Sequence, residues 1–140
     1  MFSAILPSTR ERRRHMRAVT AICDALNHRD WNGARSLIAA DFSIADQFGN
    51  EVVGADEFLR SFLDFCEAAG DPKLVFDSID PNRDEVLVRG HIENTSSEVR
   101  SPTMWRFLFD GPLISRIEVT RANNEMTLPR FAKARRVVAD

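Results

Sequence analysis

The sequence predicts an α+β fold in which a curved, mostly antiparallel sheet wraps around three helices from the N-terminal half. Three observations predict it. Apolar residues recur at helical spacing in three early segments. Four strand-like segments then follow one another after residue 72, separated by the turn signals "DPNRD", "NTSS" and "DGP". Between the helices lies "FSIADQFG", residues 42–49, with the two-residue alternation of a strand. A curved sheet closed on one side by helices makes a cone, and a cone can hold a pocket.

Each element has its own signals. Ser8 and Glu11 make an S-x-x-E capping box, and Val19, Ile22, Cys23 and Leu26 give the stripe of the first helix, which ends near "NHRD". Asp30 caps a short second helix with Trp31, Ala34, Leu37 and Ile38 inward. After the first strand, "GN" at 49 and 50 turns the chain into a short hairpin partner at Val52 and Val53. A third helix follows Gly54 with Phe58, Phe62, Phe65, Cys66 and Ala69 on one face, and "GDP" at 70–72 stops it. The four later strands are "KLVFDSI", "EVLVRGHIE", "EVRSPTMWRFLF" and "LISRIEVTR"; the tail "LPRFAKARRVVAD" reads as a short helix or a frayed end.

Composition narrows the function classes. The 140 residues suit one domain, 1–140, with disordered ends expected at 1–7 and 136–140. A net charge of −2 offers no strong attraction to nucleic acid or to an anionic membrane. The basic run "RERRRHMR", residues 10–17, carries no aromatic residues for base stacking and reads as the solvated start of a helix. No apolar run approaches the length of a membrane span. The opening "MFSAILPSTRERRR" reverses the order of a secretory signal, so a cytoplasmic protein is expected. Cys23 and Cys66 read as buried reduced thiols, and His15, His28 and His91 are scattered, so no metal-ligand set is expected.

Asp46 is the residue that breaks its pattern. Phe42, Ile44, Asp46 and Phe48 share one face of the first strand, so an inward apolar face carries a carboxylate with it. Three roles are open: a structural acid paired with an arginine or capping a turn, a hydrogen-bond acceptor for a ligand, or a general base with a pKa raised by apolar surroundings. Thr103, Trp105, Phe107 and Phe109 form an aromatic face suited to line a cavity, while Met104, Arg106 and Leu108 form a sheet surface suited to dimerisation. His91, with Leu87, Arg89 and Glu93, lies on a polar face, and a bulge at Gly90 would turn it inward.

Three stretches carry a family resemblance: "AICDALNHRDWNGARSLIAADFSIAD", "VVGADEFLRSFLDF" and "MWRFLFDGPLISRIEVT". Over residues 12–121 the chain resembles the SnoaL-like group of the nuclear-transport-factor-2-like superfamily, which includes ketosteroid isomerases, polyketide cyclases and limonene epoxide hydrolases. The resemblance implies a cone-shaped domain and a homodimer through the open sheet face. It also implies a small-molecule pocket for an apolar or aromatic ligand, with no cofactor. It places Asp46 where the isomerases hold their general base, with proton transfer, isomerisation, cyclisation or hydration as the implied chemistry. The alternative is a non-catalytic binding or assembly module with Asp46 in a structural ion pair.

The positions similar to the isomerase oxyanion donors fall on Ile22 and on Trp105 or Met104. The chain has no tyrosine, which argues against ketosteroid isomerase activity. The implied cavity draws on Ile22, Phe42, Ile44, Phe62, Thr103, Trp105 and Phe107. By the family register, Arg116 and Glu118 join it, although Ile117 and Val119 make an equally natural inward face.

Overall fold

The computed structural model describes residues 8–93, 102–121 and 126–139, with side chains of the last stretch through residue 134. Among the described residues, four helices, α1 (Thr9–Asn27), α2 (Trp31–Leu37), α3 (Ala55–Ala68) and α4 (Leu128–Ala139), accompany six strands. The strands are β1 (Ile38–Asp46), β2 (Glu51–Val53), β3 (Lys73–Asn82), β4 (Glu85–Glu93), β5 (Thr103–Asp110) and β6 (Leu113–Arg121). They form one sheet in the order β2-β1-β6-β5-β4-β3. All neighbours are antiparallel except β1 and β6, which run parallel.

The expected caps form. The Ser8 hydroxyl accepts from the Glu11 N–H at 3.1 Å, and the Asp30 carboxylate accepts from the Gly33 N–H at 2.9 Å. Ile38, expected as the last inward residue of α2, instead opens β1, because its extended backbone ends the helix at Leu37. Gly54 precedes α3 at φ +102°, a conformation that disfavours side-chain-bearing residues, and donates its N–H to the Phe42 carbonyl at 2.6 Å. The tail resolves into α4, whose backbone stays helical to Ala139, so the frayed end expected from 136 is helix over 136–139. Residues 1–7, residue 140 and the "NTSS" turn lie outside the described residues.

The core sits between the helices and the concave face of the sheet. Phe42, Phe58, Phe107, Ile22 and Ile114 are its largest fully buried side chains. Phe42 packs on Phe58 with ring centroids 4.8 Å apart. Of the basic run, His15 is buried and Met16 packs partly against the core; His15 stacks on Phe109 at 3.9 Å, and its Nε2–H donates to the Gly111 carbonyl at 3.0 Å. Arg10, Arg13, Arg14 and Arg17 are exposed, whereas Arg12 is half-buried.

Besides a register shift in β1 between Ile38 and Ser43, two irregularities decide which residues face inward. In β6, Leu108 pairs with Arg116 and Phe109 with Ile114, so Ser115 is an extra residue and both Ile114 and Ile117 turn to the core. In β3, Phe76 pairs with Gly90 and Ser78 with Arg89, which leaves Asp77 bulged. The bulge is therefore on β3, opposite Gly90. Strand β4 keeps its alternation, with Val86 and Val88 buried and His91 on the outer side.

Candidate functional site

A cavity of about 50 Å³ lies inside the cone. Its walls come from Ile22 and Leu26 of α1, Phe58, Phe62 and Phe65 of α3, and the inward residues of five strands, among them Ile44, Phe76, Trp105, Phe107, Ile117 and Val119. Directly opposed residues of antiparallel strands share a face, and Trp105 pairs with Val119 and Phe107 with Ile117. Leu128 of α4 and Thr127 just before it complete the lining. Apart from the Trp105 indole, Arg121 and Thr127 are the residues of this wall that carry polar side-chain atoms.

Both polar residues are held by the protein. Arg121 is 8% exposed; its Nε donates to the Thr103 hydroxyl at 3.0 Å and its Nη1 to the Met126 carbonyl at 2.8 Å. Thr127 is 2% exposed; its hydroxyl donates to Asp46 Oδ2 at 2.6 Å and accepts the Arg130 N–H at 3.2 Å. Thr127 is thus the N-cap of α4.

The Asp46 carboxylate is not part of the cavity wall. It sits at the end of β1, at the rim, and accepts four hydrogen bonds. Oδ1 takes the backbone N–H of Phe48 at 2.9 Å and of Asn50 at 3.0 Å. Oδ2 takes the Asn50 side-chain amide at 2.9 Å and the Thr127 hydroxyl at 2.6 Å. Burial alone would raise its pKa, but the bonds from Thr127, from Asn50 and from the Phe48 N–H outweigh burial and hold it below the ordinary carboxylate value. Asp46 thereby closes the β1–β2 turn and grips the start of α4. All four donors are neutral, so the arginine partner expected for a structural Asp46 is not what holds it.

The other expected site residues divide. Ile22, Ile44, Phe62, Trp105 and Phe107 line the cavity. Phe42 lies in the core behind Phe58 and does not line it. Thr103 is buried as the partner of Arg121. Arg116 and Glu118 lie on the outer face, because their β5 neighbours are Leu108 and Arg106 rather than the inward Trp105 and Phe107. There Arg116 bonds Glu51 at 2.6 Å, Ser43 at 2.8 Å and Glu118 at 3.2 Å, and Arg106 bonds the other side of Glu118. Burial pushes the Glu118 pKa up, but Arg106 and Arg116 together bring it below the ordinary value. His91 is flanked on the same outer face by Asp77 at 3.2 Å and Glu93 at 3.0 Å.

Arg121, Thr127 and Leu128 were not anticipated. Arg121 shares the two-residue alternation of Ile117 and Val119, so the inward face of β6 extends to it. A threonine two residues before Pro129 at a helix start is an N-cap signal that marks Thr127. Among the described residues no cluster of side chains is arranged to hold a metal ion. Among them, too, no helix is long and apolar enough to cross a membrane. Cys23 and Cys66 are free and buried, and burial pushes both thiols up to about 11.

The SnoaL-like domain family matches residues 19–117, which span both helical hairpin and sheet. The chain belongs to this family. A search of curated proteins finds no significant match. Solved structures share the fold at low identity. A protein from Kribbella flavida, provisionally named a ketosteroid isomerase, superposes with a TM-score of 0.73 at 17% identity, covering 84% of each chain. A Sinorhizobium meliloti protein, provisionally named a polyketide cyclase, gives 0.67 at 20% identity over 74% of this chain and 93% of its own. A ketosteroid-isomerase-like fold from Catenulispora acidiphila, solved in complex with trimethylamine, gives 0.61 at 19% identity over 73% and 82%. The SnoaL-like chain described here thus has the α+β cone fold of its superfamily.

Proposed function

We propose that this SnoaL-like protein binds one small, uncharged, apolar molecule inside the cone, and that Asp46 serves the architecture of the site rather than acting as its base. The observation that carries the reading is the contrast at the rim. The cavity is walled almost wholly by aliphatic and aromatic side chains, while the nearest carboxylate faces four donors and is biased towards its charged form. A base needs a free lone pair within reach of the ligand's proton. The relative solved with trimethylamine carries a small ligand, which supports a small-molecule role. The Arg121 guanidinium at this chain's cavity argues for a neutral ligand instead of a cationic one.

One observation favours a catalytic reading as the second choice. Asp46 stands a single hydroxyl, that of Thr127, from the cavity. Displacement of Thr127 would free Oδ2 for proton transfer of the isomerase or cyclase kind. A homodimer through the outer sheet face is part of the proposal, supported by Met104 at 39% exposure beside the Arg106, Glu118 and Arg116 side chains. Free buried thiols support a reducing, cytoplasmic setting.

A thermal-shift panel of small aromatics, terpenoids and their epoxides, run on wild type and on Val119→Phe, tests the reading. Val119 lines the cavity, and a phenylalanine there occupies it. The reading expects at least one compound to raise the wild-type melting temperature and to leave the filled variant unmoved. Equal shifts in both proteins would contradict it.

A further inference from the structure

The cavity wall contains a donor without an acceptor. Trp105 lies between Val88 of β4 and Val119 of β6, and its indole packs on Phe76 with ring centroids 4.9 Å apart. The residue is 6% exposed and lines the cavity. Its ring N–H donates to no acceptor among the described residues. Buried indoles usually find a partner, so this one stands out. Among the described residues, the unpartnered polar side-chain atoms sealed inside the protein are Arg12 Nε and Ser61 Oγ. The Trp105 nitrogen is not one of them, so it borders open space, and the space beside this inward residue is the cavity.

We infer that the ligand of the cavity carries an uncharged hydrogen-bond acceptor, a carbonyl, ether or epoxide oxygen, and that the Trp105 indole N–H donates to it. This rests on the cavity reading above and deepens it by naming the chemical class of the ligand. The polar groups nearby favour an acceptor. Trp105 and Thr103 share the inward face of β5, and their partners on β6 are Val119 and Arg121. The indole is therefore one step along that face from the Arg121–Thr103 hydrogen bond. A guanidinium carries donors and no acceptor, and an indole carries a donor only. Thr127 gives its proton to Asp46 and accepts the Arg130 N–H. An alcohol would bring a proton with nothing to receive it. A carboxylate needs more donors than one indole and a guanidinium that already serves Thr103 and the Met126 carbonyl. A hydrocarbon that fills the space strands the N–H away from water, which costs more than a hydrogen bond gains.

The test compares cyclopentanone with methylenecyclopentane, in which a methylene group of similar size replaces the oxygen. Amide shifts of isotope-labelled protein give the affinity of each probe for wild type and for Trp105→Phe, which keeps an aromatic ring and removes the N–H. The ratio of the two affinities, compared between the two proteins, cancels the different hydration of the probes. Preference for the ketone should fall about tenfold in Trp105→Phe, the change expected for one buried hydrogen bond. In wild type the ketone should also move the Trp105 indole proton downfield, and the hydrocarbon should not. Trp31 is the only other tryptophan of the chain, so Trp31→Phe assigns that signal. This second readout needs no change at Trp105 and decides the question even where Trp105→Phe does not fold. A preference unchanged by Trp105→Phe, or an indole proton that responds alike to both probes, overturns the inference and leaves the cavity reading standing. Failure of both probes to bind contradicts the cavity reading itself, and this inference with it.

Discussion

Phe107 and Arg106 are neighbours in β5, yet they belong to two different chemistries. Phe107 is 1% exposed and walls the cavity, while Arg106 lies on the outer face between Glu118 and Glu85 with its side chain 46% exposed. The same sorting runs through β6, where Ile117 and Val119 turn inward and Arg116 and Glu118 outward. The inner face gains from removing apolar surface from water and from close packing, which no solvent can replace. The outer face gains from ion pairs that water and salt weaken. One sheet thus presents an energetically decisive side and a permissive one.

Phe107→Ala attacks the decisive side and carries the largest expected effect. Truncating a fully buried aromatic costs about 3–5 kcal/mol, which urea denaturation will read as a large fall in midpoint. Gly90→Ala follows. An added Cβ would stand 1.9 Å from the Val75 carbonyl oxygen, so backbone opposite the β3 bulge has to shift. Overpacking of this kind costs about 1–3 kcal/mol, and amide exchange should rise first in β3 and β4.

Acid sharpens the comparison from the rim. The folded-state pKa of Asp46 lies below its ordinary value of 3.8, so its contribution is fully present above that pH and is lost as pH falls through the lower folded-state value. Asp46→Asn should therefore flatten the acid limb of the stability curve, measured as urea midpoints from pH 6 downwards. Arg106→Ala on the outer face has the smallest expected effect, under about 1 kcal/mol, and it should shrink further in 1 M salt. A loss as large as that of Phe107→Ala would erase the distinction between the faces.

Much of this was legible in the sequence, and the reasons are local. Capping by Ser8 and Asp30, the stop of α3 ahead of "GDP" and the paired strands follow from short-range signals that tertiary packing did not override. The aromatic side of β5 was readable because alternation assigns Trp105 and Phe107 together. Arg116 and Glu118 were drawn inward by family register, whereas the pairing of β5 with β6 puts them outside. That pairing includes the extra residue Ser115, which single-strand alternation does not reveal. Asp46 stood out because it breaks the apolar face of its strand; its four donors come from its own turn and from a residue 81 positions away. Thr127 could be read as a helix cap, but its reach to Asp46 is a tertiary fact.

The most direct test of the account is the unfolding free energy of Asp46→Asn against wild type at neutral pH, without ligand. An asparagine presents an amide N–H where Oδ2 accepts from Asn50 and Thr127, so two bonds are lost. The account predicts a loss of about 1–2 kcal/mol. A variant as stable as wild type, or more stable, would contradict it and would mark Asp46 as a strained functional carboxylate instead.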